Sequence, residues 1–281
     1  LRRNLNITKT IEQQEIGLYQ FFLYENTIKD PYGSGAMDGR YNEEKFREFM
    51  NENKSVTQMQ LFDNYIRAIH YSLTGTNISN ETRIVEKSVE NSDFAIQIKR
   101  WYPTARFIHI VRNPYATITA IRKMKDSKGY PFLGPIIKSL HNSLYSMYKN
   151  QMNIDNYMIV KYEDLLTDPE PTMRNIAKHL DINFRESLLK PTLYGKKWKG
   201  NSTSNTEFSE ITKSPINSWK NNITSIETEI VNKHLTPIIK MYNYDRELTK
   251  TSKLFLPQSR EGFKNYCRNR MLLQTSSNDL F

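Results

Sequence analysis

The sequence predicts an α/β fold in which helices cover both faces of a central parallel sheet, making three layers. Three observations predict it. Two short apolar runs, Phe107–Val111 and Tyr157–Lys161, have the composition of buried strands, and each is flanked by stretches of helical periodicity. A third run, residues 83–87, precedes them with a helical stretch between. Strands separated by helices are joined by crossovers, which makes them parallel.

The elements follow in order. Residues 43–50 and 58–73 carry apolar positions at helical spacing. The loop Asp30-Pro-Tyr-Gly-Ser-Gly35 between the N-terminus and these helices has two glycines but no following Lys-Ser/Thr, so it reads as a turn and not as a phosphate cradle. A strand at 83–87 and a helix at 92–101 lead into the strand at 107–111. Asn113-Pro114 then supplies a cap residue and a proline suited to a first helical turn. A loop at 129–134 precedes an amphipathic helix through Asn150, the strand at 157–161, and a helix at 168–180 with a proline-marked start. The polar stretch 195–218 is long for a structureless loop and suggests a lid or clamp, with a plain surface loop as the alternative. A last amphipathic helix is expected over 225–242, then an irregular basic tail at 251–281. The expectation is one domain over residues 1–250, without repeats.

Composition narrows the classes. The 281 residues, 38% hydrophobic, suffice for an ordinary core. Forty Lys plus Arg against thirty Asp plus Glu leave a formal charge of +10, which favours anionic partners and equally fits a solvated basic surface. Nucleic-acid binding would require a clustered basic face with aromatic platforms, and the sequence shows charge without that arrangement. The single cysteine, Cys267, excludes an internal disulfide or a thiolate cluster, and the five histidines show no ligand spacing, so no metal is expected. No apolar run reaches the length of a membrane span.

Ligands of parallel α/β sheets bind beyond the carboxyl ends of the strands, and Lys87, Arg112 and Tyr162 all sit at predicted ends. At the second of these, free amides and the dipole of the following helix would favour an anion, and Arg112 adds a planar fork of donors that matches a phosphate. Pairing of Arg112 with a surface carboxylate is the alternative.

Four segments, Val85-Glu-Lys-Ser-Val-Glu-Asn91, Tyr102-Pro-Thr-Ala-Arg-Phe-Ile-His-Ile-Val-Arg-Asn-Pro114, Val160-Lys-Tyr-Glu-Asp-Leu165 and Lys213-Ser-Pro-Ile-Asn-Ser-Trp-Lys220, occur in the order and spacing found in one family. They resemble the sulfotransferases that use 3′-phosphoadenosine 5′-phosphosulfate (PAPS), especially the branch of tyrosylprotein sulfotransferases and their bacterial relatives, from about residue 83 to residue 245. The resemblance implies a sulfotransferase fold related to that of P-loop NTPases, PAPS as co-substrate and no metal. It assigns Arg112 to the donor's 3′-phosphate and Lys87 to the sulfuryl group and its leaving phosphate, with a salt bridge to Glu86 or Glu90 as the alternative for Lys87. Tyr162 matches a residue on the adenosine side, and Lys213 a basic residue in the loop over the nucleotide. The family's serine eight residues after the arginine is replaced by Ala120, which leaves Thr119 beside it as a source of the hydroxyl and Arg122 or Lys123 one turn on as a source of charge.

The family's Gly-x-x-Gly-Thr-Thr-like loop for the 5′-phosphosulfate is not found, and Leu1-Arg-Arg-Asn-Leu5 resembles the helix that follows it, so the expectation is a chain lacking that first strand and loop. For the base that accepts the acceptor's proton, Glu15 is the positional match, with Glu12 as alternative and His70 less suited. The implied function is sulfuryl transfer to a hydroxyl or amine; the alternative is a non-catalytic adenosine bisphosphate-binding protein. The acceptor is left open among peptide, glycan, lipid and small molecule, with specificity expected in loops such as 30–40 and 129–134. A cytoplasmic location is preferred, with the Golgi lumen as the alternative had an N-terminal anchor been lost.

Overall fold

A computed structural model describes residues 9–27, 41–79, 81–88, 91–125, 129–193, 196–197, 210–248, 257 and 259–274. The Leu1–Leu5 segment, the 30–35 turn and most of the polar 195–218 stretch lie outside these residues. The chain forms two compact units, one of residues 1–94 with 193–202, the other of residues 95–192 with 203–281.

The first unit is built from α1 (Ile11–Thr27), α2 (Glu43–Glu52) and α3 (Gln58–Thr74). Asn42 caps α2 by accepting from the Lys45 amide, and Thr57 and Gln60 form a reciprocal capping box on α3. Gly75 ends α3 in the left-handed region at φ 72°, which glycine adopts without strain. Their apolar faces meet in a core of Leu18, Phe22, Phe46, Leu61, Tyr65 and Ala68, with the Phe22 and Phe46 rings stacked 4.0 Å apart.

The strand expected at 83–87 does not form. The segment lacks strand or helix structure, with Val85 85% and Ile84 38% exposed. A strand is stabilised by a neighbour that completes its ladder, and no described residue pairs with this one.

Helix α4 (Asn91–Trp101), which enters the second unit at Ala95, leads to β1 (Phe107–Val111), which pairs in parallel with β2 (Tyr157–Lys161), Phe107 opposite Tyr157 and Val111 opposite Lys161. The fold is therefore α/β around a small parallel sheet, which among the described residues has two strands where three were expected. Burial of β1 alternates: Val111 is buried and His109 partly so, while Ile108 and Ile110 are exposed.

The crossover between the strands consists of α5 (Pro114–Lys125) and α6 (Gly134–Asn153). After β2 come α7 (Tyr162–Thr167), α8 (Pro169–Leu180) and the two-residue strands β3 (Thr192–Leu193) and β4 (Lys196–Lys197). The expected helix over 225–242 is two helices, α9 (Ser225–His234) and α10 (Thr236–Met241). Pro237 has no N–H to continue the α9 ladder and starts a new helix instead.

The expected irregular tail contains α11 (Arg260–Leu272). Its Leu272 joins Tyr115, Tyr130, Leu133, Ile137, Ile230 and Leu235 in the core. Asn269, fully buried, accepts from the Leu133 amide at 2.8 Å and donates to the Pro131 carbonyl at 2.9 Å. The 129–134 loop is thus part of the core, with Tyr130 2% and Leu133 0% exposed, and is not the free specificity loop that its composition suggested.

Candidate functional site

The parallel register brings Val111 and Lys161 side by side, so the next residue of each strand, Arg112 and Tyr162, emerges at the same end of the sheet. The Arg112 guanidinium carbon lies 4.7 Å from the centroid of the Tyr162 ring. Two of the three predicted strand-end residues therefore converge. The Arg112 Nε is buried and has no hydrogen-bond partner among the described residues. A buried cationic donor left without a partner is costly, and an anion seated there would satisfy it.

The helix N-terminus beside Arg112 differs from expectation. Asn113 caps α5, its Oδ1 accepting from the Tyr115 amide at 2.9 Å and the Ala116 amide at 3.4 Å. The Asn113 amide itself donates to Glu163 Oε1 at 2.9 Å. These amides are already satisfied, so an anion here would be held by the guanidinium and not by the backbone. Glu163 also accepts from the Tyr244 hydroxyl at 2.9 Å, tying the loop after α10 to both strand ends. Burial and the Glu163 charge push the Tyr244 phenol well above its ordinary pKa. The one sequence signal for Glu163 is its place as an acidic residue two positions after the strand at 157–161.

Helical periodicity turns Thr119 and Arg122 toward the core. The Thr119 hydroxyl donates to the Tyr115 carbonyl at 2.8 Å, and the side chain is 2% exposed. Arg122 donates from Nε to Glu227 Oε1 and from Nη2 to the Asn222 carbonyl, both at 2.7 Å, with Glu227 fully buried. Both side chains are committed inside the unit, apart from the anion position at Arg112.

Ala120, at the position of the family's serine, lines a cavity of about 300 Å³ together with Arg112. Its walls are otherwise largely apolar, from β1, α5, α6 and α10, and include Val111, Leu144, Met147 and Ile238. Polar side chains besides Arg112 come from His109, Thr117, Ser143 and Tyr242; the His109 Nδ1 is 2.7 Å from the Tyr157 hydroxyl, and burial lowers its pKa, favouring the neutral ring. Nothing in the sequence distinguished His109 from an ordinary strand residue.

Lys213 is exposed in a turn closed by the Ile216 amide on its own carbonyl at 3.1 Å. Six residues on, Trp219 is buried against α5, its ring stacked on Tyr115 at 5.3 Å. In the first unit, Lys87 is exposed on the unpaired 83–87 segment, and Glu15 forms an ion pair of 3.8 Å with Lys54. Among the described residues no cluster of His, Cys, Asp and Glu has the makings of a metal site.

The Sulfotransferase family model matches residues 23–186, more than half of the chain. The chain belongs to the sulfotransferase family. The matched region contains Lys87, Arg112, Thr119, Arg122 and Tyr162, whereas Glu15 and Lys213 fall outside it. Two curated relatives, the omega-hydroxy-beta-dihydromenaquinone-9 sulfotransferases Stf3 of Mycobacterium bovis and Mycobacterium tuberculosis, are each 25% identical over 165 residues. That alignment covers 54% of this chain and 39% of the relative, so the chain spans about two fifths of the length of these relatives. Among solved structures, the sulfotransferase domain from the curacin biosynthetic pathway is 18% identical with a TM-score of 0.43, covering 74% of this chain and 81% of that one. The sulfotransferase domain from the Synechococcus PCC 7002 olefin synthase, also 18% identical, gives 0.40 over 92% and 81%. Family membership rests on the match of residues 23–186 and not on these two likenesses.

Proposed function

We propose that this sulfotransferase-family chain binds PAPS, with Arg112 on the 3′-phosphate, and serves sulfuryl transfer to a hydroxyl or amine acceptor. The observation that carries the reading is the buried, unpartnered Nε of Arg112 at the shared carboxyl end of β1 and β2, over the Tyr162 ring. A phosphate matches that donor in charge and geometry, and the aromatic surface beside it suits a purine. PAPS supplies an activated sulfuryl group. In the transfer a bond forms from sulfur to the acceptor, S–O for a hydroxyl and S–N for an amine, as the S–O bond to the donor's phosphate oxygen breaks, and the acceptor's proton passes to a base.

Within this reading Lys87 neutralises charge on the leaving phosphate, Glu15 is the base with Glu12 as its alternative, and Lys213 closes over the nucleotide. Thr119 and Arg122 drop out as donor ligands, because their polar groups are satisfied in the core. The mycobacterial relatives are named for an omega-hydroxy compound, which favours a hydroxyl as acceptor group here as well. A second reading, an adenosine bisphosphate-binding protein without transferase activity, is favoured by Ala120 in place of the family's serine.

Calorimetric titration of adenosine 3′,5′-bisphosphate into the chain and its Arg112→Ala variant, with AMP as control, tests the proposal. Binding that requires both Arg112 and the 3′-phosphate is expected. Equal affinity for AMP, or for the variant, overturns the donor-site assignment. Binding without sulfate transfer to any of a panel of hydroxyl and amine acceptors supports the second reading.

A further inference from the structure

Helix α11 has one face committed to the core and another that carries a pattern of its own. Gly262, Asn269 and Leu272 are buried, and Tyr266 packs against the core cluster. On the remaining surface Arg260, Lys264 and Arg268 recur every four residues and are exposed. Beside that row lie Phe263 and Met271, 50% and 62% exposed. Residues four apart share a helix face, so the cations form one ridge, with Met271 on the same face and Phe263 along one edge of it. Glu261 is the one acidic residue in the helix.

The neighbouring end of α5 continues the same chemistry. Gly129 leaves no room for a side chain against Ser259 and Gly262 at the start of α11. Four residues before it, α5 ends with Met124, 54% exposed, and exposed Lys125. A chain of four residues reaches at most about 14 Å, so this cationic and apolar end lies close to the first turn of α11.

We propose that α11 docks this protein onto an anionic lipid bilayer, lying in the plane of the headgroups with Phe263 and Met271 inserted. Thirteen residues make a helix of about 20 Å, too short to cross a bilayer and suited to lying on one. The cationic ridge complements acidic headgroups, and the formal charge of +10 draws the whole protein to such a surface. A nucleic acid would satisfy the cations but not the apolar side chains, whose removal from water favours the bilayer.

The test is co-sedimentation with unilamellar vesicles of equimolar phosphatidylglycerol and phosphatidylcholine, against vesicles of phosphatidylcholine alone. The chain is expected to partition onto the anionic vesicles, less so at high salt, and not onto the neutral ones. Arg260→Glu with Lys264→Glu lowers the partition at least about tenfold. Phe263→Ser with Met271→Ser also lowers it, and fluorescence of a probe attached at position 263 shifts to the blue on binding. All four side chains are exposed, so thermal unfolding of both variants matches that of the parent. The proposal is overturned if the anionic vesicles are not bound, or if the variants bind like the parent. It is equally overturned if only the charge reversal matters, or if duplex oligonucleotide binds α11 in preference to the vesicles.

Discussion

The ring of Trp219 lies parallel to that of Tyr115, centroids 5.3 Å apart and planes 10° apart. Tyr115 stands in the first turn of α5, three residues after Arg112, and its hydroxyl bonds Asn232 and receives the Glu247 amide. The stacked pair therefore fastens the segment containing Lys213 to the helix that begins beside Arg112. Trp219→Ala is expected to destabilise the fold by about 3–5 kcal/mol in urea titrations. Trp219→Phe keeps the stack and removes an indole N–H that lacks a partner among the described residues, so its cost is about 1 kcal/mol or less.

Arg122 and Glu227 form a buried ion pair that also carries the α9 cap, because Glu227 Oε2 accepts from the Thr224 amide at 2.9 Å. Glu227→Ala leaves a buried guanidinium without its counter-charge and is expected to cost about 3–5 kcal/mol. Arg122→Met combined with Glu227→Gln removes both charges and keeps an acceptor for the cap. That double variant recovers most of the loss, as a double-mutant cycle of unfolding free energies will report.

Ala120 lines the same cavity as Arg112, so Ala120→Ser introduces a hydroxyl on that side of α5. If the cavity edge meets the 3′-phosphate, the variant binds adenosine 3′,5′-bisphosphate about ten- to a hundredfold more tightly, the worth of one charge-assisted hydrogen bond. AMP affinity stays unchanged, which calorimetry distinguishes directly.

His109, His141 and His234 are held below the ordinary histidine pKa chiefly by burial. Each takes up a proton more readily when unfolded than when folded. Lowering the pH through the ordinary histidine value of 6.5 therefore protonates the unfolded chain first and reduces stability, until the pH falls below the depressed folded values. Denaturant midpoints are expected to drop between pH 7.5 and 5. His234→Gln, which retains a donor for the Leu272 carbonyl, flattens the drop.

Much of this was legible in the residues. The strands at 107–111 and 157–161 show themselves as apolar runs bounded by turn and cap signals, and their parallel pairing brings Arg112 and Tyr162 together. Residues 83–87 have the same local character without a strand, because pairing depends on a neighbour that local composition does not reveal. Thr119 and Arg122 looked available because helical phase relative to the core was unknown; the buried Glu227 that claims Arg122 lies 105 residues away. The helix at 260–272 is hidden by its charge, since only a narrow stripe, Gly262, Tyr266, Asn269 and Leu272, faces the core.

The Leu133 amide waits for the side chain of Asn269, 136 residues further along the chain. During synthesis the second unit therefore cannot close its interior when its sheet is complete; Tyr130, Leu133 and their apolar neighbours stay accessible until α11 has been made. Over that interval the nascent chain presents greasy surface to chaperones and to other copies of itself, and its last folding step is the arrival of a helix rather than the pairing of strands.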